Sequence, residues 1–440
     1  MSGTLKTVLS SLKKISQSAD AEHVAAYSVL LGNMSYRLPA SAALDRLIGF
    51  RMLRRTRQLF QNGQTAITAT QATDSKYALL DSSSKHFDLQ LDYLKKQAGI
   101  TPGICIAKSA LPSEIENYDI GSLWPWYRFA LWTAIRCLFS SNRANMALLI
   151  PETIELSMLM SILKKHNIQY VFDYAPYEVD SNWSALLMRS LGIHVTKVPS
   201  PGPLSTHNHT IVGNKLVLST PYQFDELEIL NHIFVEEVVK WVPEKTFEFV
   251  QQYIDNDRPT QAKTLAFYSH GSWIRSHEGH ANDGLNIGLS EKHLLDDLKQ
   301  FVSRNPEYSI TIYPHPREKT ADYWAKTKAY YSEIFGENQV AFAGKDEKTA
   351  DHFDSSDIAL AAFSTILYER MFCGYKTLIG NYGESQFPIA QSPLNSICFN
   401  SYDQMERLIL KASVATGEEF MKEQGILDYW YKSYDYFQDN

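Results

Sequence analysis

Along most of the chain, short apolar runs alternate with longer amphipathic stretches, the pattern left by parallel strands and their crossover helices. In the first half the runs are KYALL (76–80), GICIA (103–107), MALLI (146–150), QYVFDY (169–174), HVTKV (194–198) and KLVLS (215–219). In the second half they are TLAFYSHG (264–271), SITIYPHP (309–316), NQVAFAG (338–344), IALAAFS (358–364), KTLIGNY (376–382) and SICFN (396–400). Stretches such as LSMLMSILKKH and SALLMRSLG read as helices between them, the second stopping on Gly192. No segment repeats another.

These runs divide the chain into a helical N-terminal segment (1–75), a first Rossmann-like domain (76–241) and a polar, proline-bearing linker (242–263). A second Rossmann-like domain (264–420) and an aromatic C-terminal helix (421–440), placed to brace the first domain, complete it. The expected fold class is α/β, with two such domains facing across a cleft that holds the ligand.

Composition narrows the function. The 440 residues are too many for one ordinary domain, and a 44% hydrophobic, 21% charged chain is globular rather than disordered. A formal net charge of -7 gives no general electrostatic footprint for nucleic acid. Cys105, Cys137, Cys373 and Cys398 lie far apart without a CxxC pair, so a zinc ribbon, a redox motif or a disulfide framework is not expected. The N-terminal stretch lacks the apolar core of a signal peptide, and no run of eighteen apolar residues follows. A cytoplasmic protein is the expectation.

Candidate chemistry gathers at predicted strand ends of the second half. The first strand opens onto Ser269, His270, Gly271, Ser272, Trp273 and Arg275, then SHEGHANDG with Glu278 and Asp283. Gly271 lets backbone approach a ligand, and the hydroxyls and free N–H groups would surround a phosphate. The HEGH spacing is too short for the HExxH zinc arrangement, so no metal is expected. The second strand stops on Tyr313-Pro314-His315-Pro316-Arg317, where two prolines fix the backbone around one imidazole. Read structurally, this is a turn with an exposed histidine.

The fourth run ends at Ser364 and Thr365, with Ser364 expected as the N-cap of a helix that stops on Gly374. The same N-terminus is an anion site. Glu369 would accept from ribose hydroxyls if it faces the ligand, or is a solvated helix residue. The order of the three features describes a nucleotide pocket.

Here the chain resembles the two-domain (GT-B type) glycosyltransferases of bacterial surface polysaccharide and lipopolysaccharide synthesis. The likeness is to sialyltransferases, polysialyltransferases and Kdo transferases that carry an HP motif and a serine-rich motif. It covers mainly residues 264–385, with His315 and Pro316 matching the HP motif and Ser364 and Thr365 the serine motif. The resemblance implies that these residues hold the phosphate of a CMP-activated nonulosonic acid or Kdo, with Arg317 adding positive charge. No cofactor or metal is then needed, because the histidine stabilises the leaving phosphate.

One departure concerns the general base. The acidic-acidic-glycine triplet of the sialyltransferases is absent from the first half, where the acids at strand ends are Asp81, Glu152, Asp173 and Glu178. Asp173 is favoured over Glu178, while Glu278 or Asp283 would place the base in the second domain. LDRLIGFRMLRRTRQLF, with Arg46, Arg51, Arg54, Arg55 and Arg57, and the Trp-rich LWPWYRFALWTAIRCLF suggest peripheral contact with the inner membrane. The partners expected are a nucleotide-sugar donor and a glycan or lipid-linked glycan acceptor. Three alternatives stay open: a CDP-glycerol-type polyol-phosphate transferase, a UDP-sugar 2-epimerase-like enzyme, and a nucleotide-sugar-binding scaffold.

Overall fold

The computed structural model describes residues 67–69, 76–81, 93, 99, 104–107, 159–160, 163–164, 166–173, 179–199, 210–220, 223, 227, 232–241, 263–277, 287–336, 339–362, 364–382 and 393–430. Two compact units result. The first contains strands β1 (Ile67–Ala69), β2 (Tyr77–Asp81), β3 (Ile104–Ala107), β4 (Tyr170–Asp173), β5 (His194–Lys197), β6 (Thr210–Val212), β7 (Lys215–Leu218), β8 (His232–Phe234) and β9 (Glu237–Lys240). Seven of these form one sheet in the order β1-β3-β2-β4-β5-β7-β9, with β6 and β8 paired separately. Every pairing in the large sheet is parallel except that of β1 with β3.

Helix α1 (Val179–Ser190) joins β4 to β5 and buries Ala185, Leu186, Leu187 and Met188. It ends as its glycine predicts. Gly192 takes φ +79° and donates to the Arg189 carbonyl, while the Ile193 N–H reaches back to Met188. This 6→1 and 5→2 pair satisfies carbonyls that the helix end would leave unbonded.

The second unit is a six-stranded, wholly parallel sheet of β10 (Thr264–Tyr268), β11 (Ser309–Tyr313), β12 (Val340–Phe342), β13 (Ile358–Ala361), β14 (Thr377–Gly380) and β15 (Cys398–Phe399). Its order is β12-β11-β10-β13-β14-β15. The chain thus steps outward from β10 through β11 to β12, then returns to the other side of β10 and continues outward. That reversal makes the carboxyl ends of β10 and β13 a topological switch point, where open α/β sheets leave a crevice. β10, β13 and β14 are buried almost throughout, which accounts for their continuous apolar runs. Helices α2 (Ser272–His277), α3 (Ile287–Arg304), α4 (Trp324–Phe335), α5 (Thr365–Phe372), α6 (Tyr402–Ser413) and α7 (Gly417–Glu423) accompany the sheet.

Two buried cations fix the approach to β13. The guanidinium of Arg370, on α5, donates to the carbonyls of Phe353, Ser356 (2.6 Å) and Asp357 (3.2 Å), and lies 4.7 Å from the centre of the Tyr375 ring. Lys376 donates to the carbonyls of Ala412 and Ala415 at the end of α6 and pairs with Asp357 at 2.7 Å.

The strand MALLI, most of the linker and the N-terminal segment up to residue 66 lie outside the described residues; where that segment is described, at Ile67–Ala69, it is the unanticipated strand β1 rather than helix, pairing antiparallel with β3. β6, β8 and β9 were not anticipated; they are short, and β9 exposes Val238 and keeps Val239 only half-buried, so no buried run marks it. The C-terminal expectation needs correction. Within its described part, α7 ends at Glu423, Gly425 turns the chain at φ +69°, and Leu427–Tyr429 is a 3-10 turn rather than α-helix. Trp430 then packs on the second unit's own core, its indole occupying the space a Cβ on Gly374 would need.

Candidate functional site

The site is built around the end of β10. Gly271 adopts φ +71° and its N–H donates to Ser269 Oγ at 2.9 Å. The neighbouring amides of His270 and Ser272 donate to the two oxygens of Glu291, at 2.6 and 3.1 Å. Glu291 comes from α3 and is itself buried. The sequence expectation that this loop offers free amides to a phosphate is therefore corrected: those of His270, Gly271 and Ser272 are turned inward onto Ser269 and Glu291. What the loop presents instead is a glycine with no Cβ, and the His315 side chain packs there. A Cβ on Gly271 would lie 3.3 Å from His315 Cβ and 3.5 Å from its Nδ1.

His315 is held by its own turn. Its N–H donates to Glu318 Oε2 at 2.6 Å, and the Glu318 N–H donates back to the His315 carbonyl at 2.8 Å. Arg317 N–H donates to His315 Nδ1 at 3.2 Å, so in the neutral ring the proton sits on Nε2. Pro314 is buried, Pro316 and Arg317 are exposed, and His315 is half-buried. The other oxygen of Glu318 accepts from the Trp273 indole at 2.6 Å and from the Tyr331 hydroxyl at 3.0 Å. The rings of His270 and His315 are 6.1 Å apart.

Across the switch point, Ser364 precedes α5 with the extended backbone of an N-cap, φ -164° and ψ 134°. Its hydroxyl, however, makes no capping hydrogen bond; the Leu367 N–H goes to the Ser364 carbonyl at 3.2 Å. The capping role is thus filled by backbone, not by the side chain expected. Thr365 is exposed, and Glu369 is half-buried in the following turn. Glu178, Glu278, Asp283, Glu152 and the side chain of Arg275 fall outside the described residues.

Asp173 ends β4, which adjoins β2 at the reversal point of the first sheet, where Leu80 registers with Asp173. Its carboxylate is fully buried and sits 2.6 Å from Lys197 Nζ, also fully buried. The residue favoured from sequence as general base is therefore held in a buried ion pair, which would have to open before it met an acceptor hydroxyl.

Sequence reading missed Glu291, Glu318, Tyr331 and Lys197. Glu318 carried a signal, standing three residues after His315 as a capping glutamate stands after its partner. Glu291 carried none.

Burial pushes the Glu291 carboxyl up to about 7, with the nearby charge of Glu318 adding to it, while the bonds from His270 and Ser272 pull the other way. Burial raises Glu318 as well. Above the ordinary glutamate value of 4.5, the unfolded chain has lost the proton that folded Glu291 keeps. Stability contributed by that proton is therefore full at low pH and lost as pH rises from about 4.5 to about 7, by about 3 kcal/mol at most. Calorimetric unfolding between pH 4.5 and 8 is expected to show a decline that is shallower in Glu291→Gln. An equal slope in both would remove Glu291 as its source.

No protein-family model and no curated protein matches the sequence. Among solved structures, the chain is similar to the UDP-GlcNAc 2-epimerase of Neisseria meningitidis bound to UDP-GlcNAc, at 9% identity over 82% of this chain and 91% of that one, with TM-score 0.42. It is also similar to a mutant of the Thermobaculum terrenum O-GlcNAc transferase (9% identity, 94% and 73% covered, TM-score 0.40) and to a glycosyltransferase from Rickettsia africae (12%, 82% and 96%, TM-score 0.41). Likeness of this degree leaves the chemistry to be read from the side chains.

Proposed function

We propose that the second unit binds the nucleotide phosphate of a sugar nucleotide, and that the protein is a glycosyltransferase using that donor. The observation that carries this reading is the strand order. It sets the His270-Gly271-Ser272 loop and the start of α5 at the two strand ends flanking the switch point, and His315 packs onto Gly271 from the adjacent strand. An Nε2–H at that position donates to a phosphate oxygen, Arg317 supplies exposed charge beside it, and the N-terminus of α5 with Ser364 and Thr365 favours an anion.

In this reading the first unit holds the acceptor, and no metal is required because His315 steadies the departing phosphate. A CMP-activated nonulosonic acid or Kdo passed to a bacterial surface glycan remains the specific reading favoured by the His-Pro and Ser-Thr pairs. A CDP-glycerol-type transfer or a UDP-sugar 2-epimerisation would use the same phosphate contacts. No helix among the described residues is long and apolar enough to cross a membrane; peripheral contact with the inner membrane through the Arg- and Trp-rich segments belongs to the proposal.

Calorimetric titration of the protein with CMP, CDP, UDP and GDP tests this. One nucleotide is expected to bind with micromolar affinity, and its base names the donor class. Failure of all four would overturn the reading. Acceptor-dependent release of that nucleotide from its sugar conjugate separates transfer from epimerisation, which needs no acceptor.

A further inference from the structure

A carboxylate buried in an all-donor hydrogen-bond network, with no ion pair among the described residues, is costly to keep, so one retained beneath a candidate site calls for a reason. Glu318 is fully buried and 2.6 Å from both the His315 N–H and the Trp273 indole. Its third donor, Tyr331, is also fully buried, and Tyr331 Oη lies 2.8 Å from Ser269 Oγ, which in turn accepts from Gly271. One hydroxyl carries one proton; when Tyr331 donates to Glu318, Ser269 donates to Tyr331, and the chain of bonds stays complete.

Two parts of the site that are 45 residues apart in sequence thereby share one anchor. One oxygen of Glu318 closes the turn that carries His315, and the other is tied through Trp273, and through Tyr331 and Ser269, to the loop that carries Gly271. We infer that Glu318 is a positioning residue: it fixes the imidazole of His315 over Gly271 in the Nε2–H tautomer, and so sets the direction of the donor to the ligand phosphate. The inference rests on the nucleotide-binding reading for its consequence, but the orientation itself is measurable without ligand.

The geometry also says what a substitution does. Glutamine has the shape of glutamate, yet it presents one acceptor and one N–H₂ where two acceptors are required. It can serve the His315 N–H or the Trp273 indole, not both. At the same time it relieves the burial of a charged group, since Glu318 is already pushed toward its neutral form. Glu318→Gln is therefore expected to unfold at the wild-type temperature or above while weakening nucleotide binding about tenfold. Tyr331→Phe, which removes the bonds of one hydroxyl to Glu318 and Ser269 but leaves those of the His315 N–H and the Trp273 indole in place, is expected to weaken it about threefold.

Nitrogen NMR of the histidine rings supplies the readout that a merely structural role would leave unmoved. In the wild type, His315 is expected as the single Nε2–H tautomer at neutral to alkaline pH. In Glu318→Gln the two tautomers are expected to mix, because the turn that brings Arg317 N–H to Nδ1 is loosened. A folded Glu318→Gln with an unchanged tautomer and unchanged nucleotide affinity would overturn the inference and leave the proposed function intact. A wild type that binds none of the four nucleotides would overturn the proposed function, while the tautomer comparison would still decide the role of Glu318.

Discussion

His315→Ala is expected to lose nucleotide binding by roughly 100-fold while its unfolding temperature stays close to that of the wild type. The argument has two halves. A hydrogen bond to a charged phosphate contributes about 1.5–3 kcal/mol, a factor of about 10 to 150 in affinity. The imidazole, by contrast, is half-buried, and the His315 atom that a Cβ on Gly271 would meet first is the Cβ that alanine keeps. The turn is held by the backbone N–H and carbonyl of residue 315, which the substitution does not touch. Titration of both proteins with the nucleotide that the wild type binds, alongside thermal unfolding, checks both halves. Near-normal affinity in the variant would return His315 to a turn residue and remove the main support for a phosphate site here.

The largest stability effect is expected in the first unit. Lys197→Met leaves Asp173 as a buried carboxylate without its 2.6 Å partner, and breaking a buried pair from one side costs about 3–5 kcal/mol. Adding Asp173→Leu should recover most of that loss, since two apolar groups of similar volume replace the pair. Denaturant unfolding of the wild type, the single variant and the double variant measures it. If the single variant unfolds at the wild-type midpoint, the pair is not held out of water as its geometry requires. The comparison also bears on mechanism: a double variant that is stable yet retains transfer would strike Asp173 from the candidate bases and return attention to the other acids.

The second unit was the more legible of the two because its central strands are buried on both faces and therefore appear as unbroken apolar runs. The small residues and prolines that mark strand ends there could be read as well, and they put His270, Gly271, His315, Ser364 and Thr365 just beyond the ends of β10, β11 and β13. What the sequence could not show was direction. The amides around Gly271 looked available until Glu291, on a helix whose start is ten residues beyond the end of α2, was seen to bond two of them. Arg370 and Lys197 look like ordinary surface cations in their local sequence. Each is buried only because carbonyls or a carboxylate from distant elements converge on it.

The strand reversal beside β10 also has a consequence for how the chain is made. Asp357 N–H meets Thr264 Oγ1 across 93 residues, so β10 leaves the ribosome long before the neighbour that completes it. Until residues 358–361 follow, β10, buried almost throughout in the finished unit, has one side paired at most, and such an edge recruits other strands. Parallel pairing over this separation is slow to close. The carboxyl ends of β10 and β13 thus come together late in synthesis, and nascent chains stalled before that point present an open hydrophobic edge for chaperones to cover.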